Sequence, residues 1–210
     1  MADRNGRRWC RLLAALALAT WVAAGAGGAR AAVPGPPGME PGLYAAHFFE
    51  APKMTYPYGT HVAAVEVDPA TGRVTLRKYV VTYDVGRAIN PMIVDGQITG
   101  GLAQGLGGAI FEELVYDEQG QPLATTFMDY LVPTAMDMPE ETIVKVLEET
   151  PTPLNPLGVK GVGEGGSSGA GAAIANAVAD ALAPLGVAIT ELPLSPDRLA
   201  RLVRERGVRA

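Results

Sequence analysis

Between residues 59 and 205 the apolar positions follow a two-residue period in some stretches and a four-residue period in others. His61 to Val67 alternates and is rich in β-formers, which predicts a strand. Asp68-Pro69-Ala70-Thr71-Gly72 supplies turn chemistry, and Val74 to Tyr83 reads as a second strand, so the pair is an antiparallel hairpin with a longer loop. The hairpin reads as scaffold that delivers the chain to the segment starting at Asp84. Asn90 then suits a helix N-cap and Pro91 the first helical position. Val94, Ile98, Leu102, Leu106, Ile110 and Leu114 recur at every fourth residue, the pattern of one buried helical face.

That helix is unusual in carrying Gly96, Gly100, Gly101, Gly105, Gly107 and Gly108. Each interior glycine costs about 1 kcal/mol relative to alanine, so tertiary packing must hold the helix. Such a choice makes sense where another backbone or a flat ligand comes close. Further on, Tyr116 to Pro122 reads as a turn between two short strands, Ile143 to Glu149 as a strand with Glu148 and Glu149 in solvent, and Pro151 to Pro156 as a rigid connector. Ala170 to Leu182, with Ile174, Val178 and Leu182 at four-residue spacing, reads as a helix stopped by Pro184-Leu185-Gly186. Ala188 to Leu192 reads as a strand and Pro196 to Arg204 as a last short helix. Phe127 to Tyr130 fits either a pocket wall or, more commonly for such residues, core. The expected fold is α/β (mixed α+β): a two-layer unit with a Gly-rich buried helix, incomplete on its own and leaving exposed apolar surface that wants a neighbour.

Residues 1–31 differ from the rest. Arg4, Arg7, Arg8 and Arg11 precede an uncharged run from Leu12 to Ala26, and Ala29-Arg30-Ala31 follows, the order of a secretory signal. A helix belonging to an upstream domain, or a misassigned start, fits equally well. The run is too short and too rich in Ala and Gly for a stable membrane span. The expected home is the cytoplasm, or the periplasm or exterior if 1–31 is a true signal. Residues 32–58 form a Pro/Gly-rich connector, 59–205 the main domain segment, and 206–210 a basic tail. Together with Arg198, Arg201 and Arg204 that tail is a solvated face or a docking surface.

Composition narrows the classes. Hydrophobic residues make up 48% and charged residues 19%, which argues against wholesale disorder. The net charge of −5, with no Lys/Arg cluster beyond the termini, argues against a nucleic-acid partner. Cys10 is the lone cysteine, so neither an intrachain disulfide nor a cysteine-based metal cluster can form. His47 and His61 stand far apart and read as ordinary structural residues.

The densest chemistry lies in Gly158-Val159-Lys160-Gly161-Val162-Gly163-Glu164-Gly165-Gly166-Ser167-Ser168-Gly169, where six of twelve residues are glycine. A glycine turn feeding a helix start presents unpaired N–H groups. A carboxylate there, shielded from water, can act as a base; more commonly such a Glu is solvated and inert.

Gly161-Val162-Gly163-Glu164-Gly165-Gly166 resembles the active-site loop of the molybdenum hydroxylase large subunits: xanthine dehydrogenases, aldehyde oxidases and aerobic carbon monoxide dehydrogenases. Two further blocks agree in the family's order. They are Asp84-Val85-Gly86-Arg87-Ala88-Ile89-Asn90-Pro91 running to Gly96-Gln97, and Gly100-Gly101-Leu102-Ala103-Gln104-Gly105-Leu106-Gly107. Flanking Pro37-Gly38-Met39-Glu40-Pro41-Gly42, Phe127-Met128-Asp129-Tyr130 and Asn155-Pro156-Leu157-Gly158 fit as well, and the wording is nearest the carbon monoxide dehydrogenase-like branch. The likeness runs from about Pro36 to about Val203 and corresponds to the C-terminal part of a molybdopterin-binding region. It implies a molybdopterin-type molybdenum cofactor, with the cytosine dinucleotide form as one option, and oxidative hydroxylation of an aldehyde, an N-heterocycle or carbon monoxide. It implies Glu164 as the base toward the molybdenum-bound hydroxyl. Gln104 and Gly105 would be cofactor contacts, and Gly161, Gly163, Gly165 and Gly166 would keep the loop close to the cofactor. Gln104 read by itself is an amide satisfied by neighbouring backbone. The implied partners are an upstream large-subunit segment and iron–sulfur and FAD subunits. The competing class is a catalytically inactive truncated remnant or an exported binding module.

Overall fold

The computed structural model describes residues 48–207, so the signal-like segment 1–31, the first part of the connector, the Pro37–Gly42 block and the end of the basic tail lie outside the described residues. Every regular element among the described residues belongs to one compact unit that starts at Ala51.

Two long strands open it, β1 (Tyr58–Val67) and β2 (Val74–Asp84), paired antiparallel with a bulge at Ala64/Val65. Their turn is built around Asp68. Its carboxylate accepts from the Ala70 N–H at 2.9 Å and the Thr71 hydroxyl at 2.6 Å, while Gly72 takes φ +73, a region that costs glycine no Cβ clash. The hairpin expected from alternation is therefore present, one to three residues longer at its open end. A third strand, β3 (Glu141–Leu147), pairs with β2 in parallel, giving the order β1-β2-β3.

The connection between β2 and β3 carries helix α1 (Pro91–Leu106). The Asn90 side chain accepts from the Ile93 N–H at 3.2 Å and Pro91 takes the first turn, as the sequence predicts. Val94, Ile98, Leu102 and Leu106 are buried. The rest of the predicted stripe departs from one face: Gly107–Phe111 winds as a π-helical turn and Leu114 is exposed. Each four-residue step along an α-helix turns about 40° past a full revolution, so six such positions cannot share one face, and the wider π turn re-aims Ala109 and Ile110 into the core instead. The glycines divide as well. A Cβ on Gly101 would lie 2.8 Å from the Gly166 Cα, and one on Gly105 would lie 2.5 Å from the Ala170 Cβ, whereas Gly96, Gly100 and Gly108 face open space.

Helix α2 (Ala170–Leu182) buries Ala170, Ile174, Val178 and Leu182, the predicted stripe, and packs on β1 beside α1. One apolar cluster joins Tyr79, Val81, Tyr83 and Val85 of the β2 segment to α1 and the start of α2. A second joins Val178 and Leu182 to Val187, Leu194 and the final helix α3 (Pro196–Glu205) through Leu199 and Val203. The two-layer mixed α/β expectation holds: one sheet, with helices laid against it.

Two minor elements differ. Residues 188–192 form no strand: Ile189 packs against the second cluster from an irregular segment, between the buried Val187 and Leu194. Around Tyr116 and Pro122 only a single bridge forms, because Asp117 caps the turn through Gln119 and Gln121 N–H groups and the flanks then diverge. Phe127 and Met128 are neither core nor wall of the Glu164 cavity; they are 85% and 89% exposed. Met92 and Met136 are exposed as well, individual apolar side chains in solvent of the kind the sequence anticipates. In α3, Arg198 is tied to Glu113 at 3.0 Å and to the Pro193 carbonyl at 2.8 Å, while Arg201, Arg204 and Arg206 are exposed.

Candidate active site

The Glu164 loop leaves the sheet at Lys160, whose N–H donates to the Val85 carbonyl at 2.9 Å, just beyond the end of β2. The Lys160 ammonium lies 3.0 Å from Asp84 Oδ1, and both side chains are almost wholly buried. Asp84 also accepts from the backbone N–H groups of Gly86, Glu149 and Thr150 at 3.0 to 3.1 Å. Burial alone opposes its charge, but Lys160 and these donors outweigh that and hold its carboxyl well below the usual carboxylate range. Lys160 further donates to the Thr150 hydroxyl at 2.8 Å and sits 4.6 Å from the Tyr58 ring centroid. The loop thus starts from a fully paired, dry anchor.

Past the anchor the chain turns tightly. Gly165 N–H donates to the Val162 carbonyl, and the Ser167 and Ser168 N–H groups both donate to the Glu164 carbonyl, joined by the two serine hydroxyls. Glu164 is therefore held by its main chain, while its carboxylate has no hydrogen-bond or ion-pair partner among the described residues. It opens on a cavity of about 370 Å³ lined by Gly161, Gly163 and Gly165, by Tyr83 and Ser168, and by the connector from Met54 to Pro57.

The predicted site residues fall into two groups. Gly161, Gly163, Glu164 and Gly165 line this cavity together. Gly166 lies underneath: a Cβ there would sit 1.9 Å from the Ile98 carbonyl oxygen. Gly105 is likewise a packing position, against Ser167 and Ala170, and Gln104 is an exposed residue of α1 that does not line the cavity. Sequence reasoning assigned no role to Tyr83, to the Asp84–Lys160 pair or to Gln97, whose side-chain oxygen would be 3.8 Å from a Cβ on Gly163. Asp84 carried a readable signal, the lone acid of its strand, placed at the end of the run Tyr79-Val80-Val81-Thr82-Tyr83.

A molybdopterin is flat, bulky and rich in oxygen and nitrogen, and the cavity suits such a group in two ways. Gly161 and Gly163 leave bare backbone where a Cβ would meet at most one distant side-chain atom. The N–H groups from Gly161 to Glu164 have no partner among the described residues, and three of these residues, Gly161, Gly163 and Glu164, line the cavity, so backbone donors remain there for a ligand. Among the described residues no three His, Cys, Asp or Glu side chains come together around a metal.

Comparison with known proteins shows the family. The profile of the molybdopterin cofactor-binding domain matches residues 4–139. The gamma subunit of the 6-hydroxypseudooxynicotine dehydrogenase complex of Paenarthrobacter nicotinovorans is 45% identical over 160 residues, 76% of this chain and 20% of that protein. The carbon monoxide dehydrogenase large chain of Hydrogenophaga pseudoflava is 40% identical over 174 residues, 82% of this chain and 21% of its own. A stretch of that length in 210 residues takes in the Glu164 loop wherever it starts. The solved carbon monoxide dehydrogenase of Oligotropha carboxidovorans superposes with a TM-score of 0.73 at 39% identity, over 82% of this chain and 21% of that one. The chain belongs to the molybdenum hydroxylase large-subunit family, as a molybdopterin cofactor-binding domain. It spans about a fifth of the length of the relatives it matches. Among the described residues no helix is long and apolar enough to cross a membrane.

Proposed function

We propose that this chain contributes the catalytic carboxylate of a molybdenum hydroxylase-type oxidoreductase, with Glu164 as the general base. The observation that carries this reading is the Glu164 carboxylate, unpartnered among the described residues, on a cavity whose floor is bare glycine backbone. The bound cofactor, proposed to be molybdopterin in its cytosine dinucleotide form, would supply the redox-active metal and the oxygen delivered to substrate. Gly161, Gly163 and Gly165 would let it approach the loop. Gly166 and Gly105 would keep the loop pressed onto α1, and Gln104, exposed on α1 outside the cavity, would meet only a part of the cofactor that extends beyond it. A Glu164 carboxylate oxygen would accept the proton released as an electrophilic carbon is hydroxylated. The substrate class is an aldehyde, an N-heterocycle or carbon monoxide. The names of the relatives, a subunit of a complex and a large chain, support work within a larger assembly; the partners proposed are the rest of a large subunit and iron–sulfur and FAD subunits, and the compartment proposed is the cytoplasm.

General-base catalysis contributes about 10²–10⁴-fold. In the enzyme assembled from this chain and its partners, Glu164→Gln is expected to lower turnover by about that factor while molybdenum content and melting temperature stay unchanged. A variant that kept most of its rate would falsify the assignment.

A further inference from the structure

The β1–β2 hairpin does more than carry the chain forward. His61 of β1, half-buried, stands edge-on to the rings of Tyr79 and Tyr83, at centroid distances of 5.8 and 6.2 Å. Its Nε2 lies 3.0 Å from the Gly165 carbonyl oxygen, and its Nδ1 lies 2.7 Å from the Tyr79 hydroxyl. A carbonyl oxygen only accepts, so Nε2 carries a proton. In the neutral ring Nδ1 is then an acceptor, and the Tyr79 O–H donates to it. Burial, partly opposed by the Gly165 bond, lowers the pKa of His61 and so favours that neutral form. Tyr79 is fully buried, which leaves its hydroxyl no solvent to turn to.

The ring reaches two points of the turn that carries Glu164. One is the Gly165 carbonyl, directly after the carboxylate. The other is Gly169 at the start of α2, where a Cβ would lie 2.6 Å from His61 Cδ2. On its other side Gly165 rests on Tyr83, since a Cβ there would lie 2.9 Å from the ring. The strand ladder of β1 is complete without the imidazole, and the acceptor that Nε2 uses lies 104 residues away in sequence. A side chain that only supported the hairpin would not need it.

We infer that His61, oriented by Tyr79, is a positioning residue that fixes the Glu164 turn through the Gly165 carbonyl and so aims the carboxylate into the cavity. The inference rests on the role proposed for Glu164 and extends the working site to a strand element that no motif marks.

The test is amide hydrogen exchange on the full chain, read at Gly165, Ser167 and Ser168, whose N–H groups close the turn. His61→Phe keeps a ring and removes both hydrogen bonds; exchange at these three amides should rise roughly tenfold, about what one lost hydrogen bond permits. Tyr79→Phe removes only the orienting partner and should raise it about threefold. His61→Gln restores an N–H donor and should return exchange close to the parent value. The β1 amides from Val62 to Val65 should stay protected throughout. Unchanged loop exchange in both His61→Phe and Tyr79→Phe overturns the inference, as does loop and strand exchange rising together. In the assembled enzyme, His61→Phe should lower kcat with KM and molybdenum content unchanged, and His61→Gln should recover it; an unchanged kcat also overturns the inference. If Glu164→Gln kept its rate while the exchange pattern held, the base assignment would fail and the strut between His61 and the turn would stand.

Discussion

The Glu164 loop uses glycine for two opposite purposes within six residues. From Gly161 to Glu164 the chain is open: a Cβ on Gly161 would meet nothing within 4 Å, and one on Gly163 only the end of Gln97. From Gly165 onward it is closed, with Tyr83 against Gly165 and the Ile98 carbonyl and Leu102 N–H against Gly166. The first half keeps space free above the backbone, and the second removes the space between two backbones. A carboxylate at the junction has a rigid base and an open front. Composition alone treats both halves alike, and geometry separates them.

The largest way to break this contrast is at its anchor. Asp84→Ala leaves the Lys160 ammonium buried without its counter-charge, and removing one partner of a buried pair costs about 3–5 kcal/mol. Denaturant unfolding of the full chain should show a loss in that range. Gly166→Ala attacks the closed half directly, because the added methyl meets main chain that has no rotamer to adopt. Overpacking of this kind costs about 1–3 kcal/mol, and the same unfolding measurement checks it.

Acidification should loosen the closed half without touching the anchor. Because burial lowers the folded pKa of His61 from 6.5, the unfolded chain binds more protons than the folded one. The stability that His61 contributes is then present above about pH 6.5 and is lost as pH falls from there through the lowered value. The groups facing it are Tyr79 and Tyr83 from β2 and the uncharged Gly165 carbonyl and Gly169 from the loop, so no neighbouring charge reverses the sign. Opening at 165–169, read as amide protection factors already corrected for the intrinsic pH dependence of exchange, should increase as pH falls below about 6.5 through the lowered His61 value, and His61→Gln should abolish the dependence. The smallest effect belongs to the open half: Gly161→Ala should leave stability within about 0.5 kcal/mol, as read from the melting temperature, since nothing there opposes a methyl.

Much of this was legible in the residues. The hairpin, the capped start of α1, the stripe of α2 and the final helix each follow from a local period with a turn or cap beside it. So did the Glu164 loop, because a lone carboxylate among glycines stands out against any background. What the residues could not show was which glycines face a backbone and which face a cavity, since that depends on where α1 crosses the loop. Gln104 illustrates the limit: its motif is plain, yet it lies on the exposed side of α1 while its neighbour Gly105 packs inward. His61 illustrates the converse. It sits in an ordinary alternating strand, and only the pairing of residues 104 positions apart ties it to the Glu164 turn. The Ala188–Leu192 segment differs for a third reason: a β-rich run becomes a strand only when it pairs, and this one instead packs Ile189 against the second cluster as irregular chain.

The parallel pairing of β2 with β3 sets an order of assembly. Lys78 stands opposite Glu141, 63 residues later in the chain. At a synthesis rate of 5–20 residues per second, the hairpin would emerge roughly three to thirteen seconds before its second edge could be covered. For that interval β2 offers a row of unsatisfied peptide groups to any passing strand. The newborn domain is then most vulnerable to mispairing before Glu164 has left the ribosome.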